Sequence, residues 1–235
     1  MNPLRYPGEQ SAAYTPERPP QVKVCGLTRI DEATACAELG VDAVGLVFYR
    51  PSPRFVTDER AREICLSLPE RVCTVGVFVN EPPGGILDRV HRCGLKAVQL
   101  HGQEPPGVVD ELLRAGVTVI KALFQNTAPA FASADEYGAS AFLAECAGGP
   151  LPGGNAIEWD WGAAARLSGS YPVVLAGGLN SSNVSKAIGR ARPDAVDVSS
   201  GVESMPGRKD IDKVKQFLEA VSRGSASGRN RRIFR

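Results

Sequence analysis

The sequence predicts an α/β protein, a single-domain (β/α)8 TIM barrel, and three observations carry that expectation. Short β-branched runs alternate with longer, mostly amphipathic stretches along the chain. Several of the short runs are apolar at nearly every position, as parallel strands covered on both faces must be. No G-x-G-x-x-G follows the first run, so the architectural alternative, a doubly wound open sheet, lacks its signature.

The first strand is QVKVC (21–25), followed by a helix in DEATACAELG (31–40) that is entered through Arg29-Ile30-Asp31 with Asp31 as candidate N-cap. DAVGLVF (42–48) precedes TDERAREICLSL (57–68), where Thr57 is the candidate cap. VCTVGVFV (72–79) leads to GILDRVHRCG (85–94), and AVQL (97–100) to GVVDELLRAG (107–116). Glycines 40, 94 and 116 end three of these helical stretches, where a left-handed residue is wanted. TVIKALF (118–124) is followed by NTAPAFASADEYG, a poor helical pattern with no clear start. SAFLAE (140–145), PVVLA (172–176) and AVDVS (195–199) complete the strands, with helices in 181–190 and 209–222.

The barrel domain then spans 21–224. Residues 1–20 are rich in proline and polar groups without a 2.0 or 3.6 period, which predicts a flexible arm. Residues 225–235 predict a flexible basic tail, with four arginines among the last seven residues.

The chain has 235 residues and a formal net charge of +1, so it offers no general field for nucleic acid, and an anionic ligand has to be captured locally. Six scattered cysteines without metal-ligand spacing, and no opening signal peptide, fit a reducing cytoplasm. No apolar stretch approaches the roughly 20 residues of a membrane span. With only His91 and His101 available, a histidine-built zinc site or a serine-histidine triad is disfavoured.

Barrel chemistry gathers at the strand C-terminal ends. Those ends offer Cys25-Gly26, Arg54, Asn80, Gln99 with His101 and Gly102, Lys121, Gly177-Gly178 and Ser199-Ser200-Gly201. Bare glycine amides and serine hydroxyls after the last two strands suit a phosphate, with Asn180 as a candidate cap of the next helix. Arg54, in a loop stiffened by Pro51 and Pro53, is either a carboxylate fork or an exposed arginine. Cys25 is either a buried small hydrophobe or a thiol lowered into use as a base. Cys36, Cys65, Cys73, Cys93 and Cys146 read as packing residues. Asp160, in EWDW, is either an N-cap or an acid raised by its tryptophan neighbours, with Glu158 in reserve.

KVCGLTR, GLVFYRPSPRFV, VGVFVN, VQLHG, IKALF, LAGGLN and DVSSGVES..GRKD, in this order across 22–215, resemble the phosphoribosylanthranilate isomerase family. The resemblance implies an Amadori rearrangement of a small phosphosugar in tryptophan biosynthesis, with Cys25 as general base and Asp160 as general acid. It further implies that Arg54 holds a carboxylate, that Gly177, Gly178, Ser199, Ser200 and Gly201 hold phosphate, and that Gln99 and His101 contact substrate. It implies no cofactor, no metal, no nucleic acid and no membrane partner, in a monomer or homodimer. The sequence departs from the family in the loop after the sixth strand, GGNAIE at 153–158, and the family's aspartate near the end of that strand stands as Glu145. The alternatives are another phosphosugar barrel with a different acid-base pair, or a catalytically impaired ligand-binding or scaffolding barrel.

Overall fold

The computed structural model describes residues 19–146, 158–224 and 231–235. Eight parallel strands close into a barrel in chain order: β1 (Gln21–Cys25), β2 (Ala43–Val47), β3 (Cys73–Phe78), β4 (Ala97–Leu100), β5 (Thr118–Phe124), β6 (Ala141–Glu145), β7 (Val173–Leu175) and β8 (Ala195–Val198). β8 pairs back onto β1, with Lys23 opposite Asp197. Strand alternation divides the side chains. In β1, Val22 and Val24 join the core beneath the helices, whereas Cys25 packs with Val47 and Val77 inside the barrel.

The helices are α1 (Ile30–Glu38), α2 (Asp58–Ser67), α3 (Pro83–Cys93), α4 (Pro106–Arg114), α5 (Ala134–Tyr137), α6 (Ala165–Ser170), α7 (Val184–Ala191) and α8 (Ile211–Arg223). Thr57 caps α2 by accepting from the Arg60 amide at 3.2 Å. Asp31 is not a cap: α1 begins one residue earlier with Arg29 at the N-cap, and Asp31 lies in the first turn, ion-paired to Arg29. Its charge there favours the positive end of the helix dipole. The weak fifth helical pattern corresponds to only four helical residues after a 3-10 turn at Phe131–Ser133. A hairpin that the sequence did not signal, β9 (Glu203–Met205) with β10 (Arg208–Lys209), follows β8. No helix among the described residues is long and apolar enough to cross a membrane.

Two features anchor the ends of the barrel. At the C-terminal end of the strands, Lys121 is fully buried and donates to Gly102 O at 2.7 Å and Glu104 Oε2 at 2.7 Å. Glu104 Oε1 in turn accepts from the Asn80 amide at 2.8 Å, so one ion pair ties the ends of β3, β4 and β5 together. Lys121 and Asn80 are thus structural rather than parts of an open rim. Lys121→Met strands Glu104 as an unpaired buried charge, and a loss of about 3–5 kcal/mol is expected in denaturant unfolding.

At the opposite end, the expectation of a flexible basic tail over 225–235 is corrected for its last five residues. Ile233 and Phe234 are buried, in one cluster with Ala43, Cys73, Ala97 and Ala195. Gln21 binds both: its Oε1 accepts from the Ile233 and Phe234 amides at 2.7 and 3.0 Å, and its Nε2 donates to Phe234 O at 2.8 Å. Arg231 pairs with Asp194 at 3.1 Å. An apolar pair flanked by arginines is therefore the floor of the barrel. Residues 1–18 of the expected arm and 225–230 of the expected tail lie outside the described residues.

Candidate active site

The C-terminal ends of the strands surround an open cavity with polar and apolar groups on its wall, the usual place for a ligand in such a barrel. Among the expected residues, Cys25, Arg54, Gln99, His101, Gly177, Gly178, Ser199 and Ser200 line it.

One end is built from bare backbone. Gly177 and Gly178 both have positive φ, 86° and 65°, which glycine adopts without strain. A Cβ on Gly177 would approach Trp159 Nε1 to 2.7 Å, so the indole packs directly on the glycine. Ser199 Oγ donates to Cys25 O at 3.0 Å, joining the ends of β8 and β1. Gly201 does not line the cavity: a Cβ there would strike Leu179 O at 2.0 Å, so this glycine lets the loops after β7 and β8 touch. Asn180 is not the helix cap either. Asn183 occupies that position, while Asn180 Oδ1 accepts from the Ser182 amide at 2.8 Å in the preceding turn.

A second part of the wall is cationic. Arg54 is buried and forks onto Glu203, Nε to Oε1 at 2.9 Å and Nη2 to Oε2 at 2.7 Å. Lys209 Nζ also donates to Glu203 Oε1, at 2.7 Å. Burial would push the Glu203 carboxyl up, but Arg54 and Lys209 hold it below the usual range. Arg54 and Lys209 thus share one carboxylate behind the wall, and of the two only Arg54 lines the cavity.

Cys25 lies on the wall between these regions. Burial pushes its thiol up, Lys23 and Lys209 pull it down, and Asp197 pushes it up; the net direction is upward. Cys36, Cys65 and Cys73 are pushed up to about 11 by burial, and none of them lines the cavity. Their packing role agrees with the sequence expectation.

Asp160 is a correction. Its side chain is 65% exposed, pairs with Arg190 on α7 at 3.3 Å and accepts from the Gly162 amide at 3.2 Å. It does not line the cavity. The cause is local: Trp159 and Trp161 donate their indole N–H groups to Ala176 O at 3.0 Å and Gly177 O at 3.2 Å, and the residue between them is turned outward. The reserve candidate Glu158 is also exposed, accepting from Asn183 Nδ2 at 2.7 Å.

Among the described residues two carboxyls do line the cavity: Asp197 of β8, engaged by Lys23 at 3.0 Å, and Glu145, the last residue of β6, buried and 3.2 Å from His101 Nε2. Gln99 Nε2 lies 2.8 Å from His101 Nδ1. Sequence reasoning noted Glu145 only as a departure. Its position as the terminal residue of a barrel strand was the signal available. Lys23, Asp197, Glu203 and Lys209 were not foreseen as neighbours of the site. The altered loop after β6, at 147–157, lies outside the described residues.

Residues 22–220 match the model of the family described as N-(5'phosphoribosyl)anthranilate (PRA) isomerase. The N-(5'-phosphoribosyl)anthranilate isomerase of Desulfatibacillum aliphaticivorans is 52% identical over 214 residues, covering 91% of this chain and 98% of that protein. That of Myxococcus xanthus is 45% identical over 205 residues, covering 86% and 95%. The crystal structure of phosphoribosyl anthranilate isomerase from Thermotoga maritima aligns with a TM-score of 0.80 at 40% identity, covering 86% of this chain and 98% of that one. A phosphoribosyl anthranilate isomerase in complex with reduced 1-(o-carboxyphenylamino)-1-deoxyribulose 5-phosphate aligns at 0.77, with 40% identity and the same coverage. By sequence over almost its whole barrel and by fold, this chain belongs to the N-(5'-phosphoribosyl)anthranilate isomerase family.

Proposed function

We propose that this protein converts N-(5-phosphoribosyl)anthranilate into 1-(2-carboxyphenylamino)-1-deoxyribulose 5-phosphate, the isomerase step of tryptophan biosynthesis, with Cys25 as general base and Glu145 as general acid. One observation carries the assignment of the pair: the thiol at the end of β1 and the buried carboxyl at the end of β6 face the same cavity.

Each step uses what the wall offers. Glu145 protonates the furanose ring oxygen as its bond to C1′ breaks, and the anthranilate nitrogen lone pair forms the C=N bond of a protonated Schiff base. Cys25, as thiolate, takes the C2′ proton; the C–H electron pair becomes the C1′=C2′ bond and the imine electrons return to nitrogen. The enolamine then gains a proton at C1′ and loses the O2′ proton, which gives the ketone. One proton donor and one acceptor suffice. Arg54 holds the anthranilate carboxylate, and the amides and hydroxyls around Gly177, Gly178, Ser199 and Ser200 hold the phosphate, so the reacting carbons are fixed between two anion grips. Gln99 and His101 contact the sugar and orient Glu145.

The test is turnover of freshly generated phosphoribosylanthranilate, followed by the loss of its anthranilate-type fluorescence. Loss at an enzymatic rate is expected. A pure, folded protein without turnover would leave a binding or scaffolding barrel in its place. Arg54→Ala is expected to weaken apparent substrate affinity by at least about tenfold, the value of a charge-assisted hydrogen bond, with a smaller change in kcat. An unchanged KM would argue against the carboxylate grip.

A further inference from the structure

Lys23 is a fully buried cation on the strand that carries Cys25, and the reaction scheme gives it no part. It stands two residues before Cys25 on β1, so alternation points both side chains into the barrel. Its neighbour across the β8 pairing is Asp197, and the two side chains meet at 3.0 Å. On the other side β2 presents only small residues, Ala43 opposite Lys23 and Gly45 opposite Cys25. A Cβ on Gly45 would meet Cys25 Sγ at 2.7 Å and Lys23 Nζ at 3.0 Å, so ammonium and sulfur border the same small space.

Stability does not account for this pair. Taking two charges into a barrel interior forfeits their hydration, and apolar residues of similar volume commonly replace such pairs without loss. Its position directly beneath the thiol does account for it. We propose that Lys23, clamped by Asp197, is the positioning residue that pairs with the Cys25 thiolate, allowing a base to form inside the barrel where no histidine adjoins the sulfur on β1. The inference rests on the reading of Cys25 as general base.

The protonic balance is simple. The S–H bond breaks and its proton leaves through the cavity mouth to solvent, while Lys23 stays an ammonium throughout. The thiolate later regains a proton from substrate C2′. The other charged groups around the sulfur are Asp197 on β8, Lys209 on β10 and Arg54 after β2. Glu203 lies behind the last two, and His101 and Glu145 line the same cavity.

Two substitutions should then act in opposite directions. Lys23→Met removes the positive partner and leaves Asp197 facing the sulfur, whereas Asp197→Asn leaves Lys23 unopposed. The pH dependence of Cys25 alkylation by iodoacetamide, followed on the peptide that carries it by mass spectrometry, reads this without needing turnover. The midpoint is expected to rise by at least about one pH unit in Lys23→Met and to fall in Asp197→Asn, the sign that a nearby charge imposes. In the isomerase assay Lys23→Met should lower kcat about tenfold or more at neutral pH, with KM little changed, and raising the pH should recover part of the rate.

Should Lys23→Met fail to fold, the double variant Lys23→Met/Asp197→Asn, which leaves no charge at the pair, replaces it and is compared with Asp197→Asn alone. Its midpoint is expected above that of the single variant. Equal midpoints, or midpoints of the two single variants moving in the same direction, would overturn the role of Lys23. Absence of turnover in the wild type with these opposite shifts intact would instead count against the isomerase reading alone.

Discussion

Glu145→Gln is expected to lower kcat by at least about 100-fold, the low end for losing a proton-transfer group, while Asp160→Asn leaves turnover close to wild type. The two carboxyls are near one another in the chain but differ in every property that matters to catalysis. Glu145 is buried on the cavity wall beside His101. Asp160 is 65% exposed, engaged by Arg190 and turned from the cavity. Glutamine preserves the volume and the contact with His101 but cannot deliver a proton to the ring oxygen, so KM should change far less than kcat. Glu145→Asp keeps the acid on a shorter stem and should recover part of the rate. Cys25→Ser completes the comparison, with a loss of similar size because a hydroxyl is a far poorer base than a thiolate. Steady-state kinetics on the four variants decides the matter: a large loss in Asp160→Asn with a normal rate in Glu145→Gln would return the acid to the residue that the sequence suggested.

What could be read from the sequence divides along physical lines. The strands were legible because both faces of each are covered, which leaves dense β-branched runs that no loop would retain; each observed strand lies within one residue of its expected bounds. Cys25, Arg54 and the glycine and serine ends were legible because the barrel itself dictates where strand ends converge. Asp160 was expected on the cavity wall because EWDW looks like a desolvated aspartate when read linearly, and only the two indole hydrogen bonds reveal which way the middle residue points. The partners of the thiol were hidden for a different reason. Lys23 and Asp197 are 174 residues apart, and their meeting follows from barrel closure and register, which no local pattern encodes.

The end of the chain was the other misreading, and it carries the second large expected effect. Deleting residues 231–235 should lower the melting temperature by roughly 10 °C, for a loss of about 3–5 kcal/mol, while leaving kcat and KM nearly unchanged. The bottom of this barrel is lined by small side chains, Ala43, Cys73, Ala97 and Ala195, where barrels more often stack bulky branched residues. The volume those residues leave is filled by Ile233 and Phe234, with 8% and 2% of their surface exposed. Removing them exposes the floor and strips Gln21, itself nearly buried, of three hydrogen bonds. Phe234→Ala isolates the packing contribution and should account for most of the loss, since a phenylalanine cavity alone costs about 3–5 kcal/mol. Arg231→Ala, which breaks the part-exposed pair with Asp194, should have the smaller effect. The active site sits at the opposite end of the strands, so kinetics measured well below the melting temperature should be blind to the truncation. A truncated protein that melts with the full chain would mean that the floor is sealed without this segment.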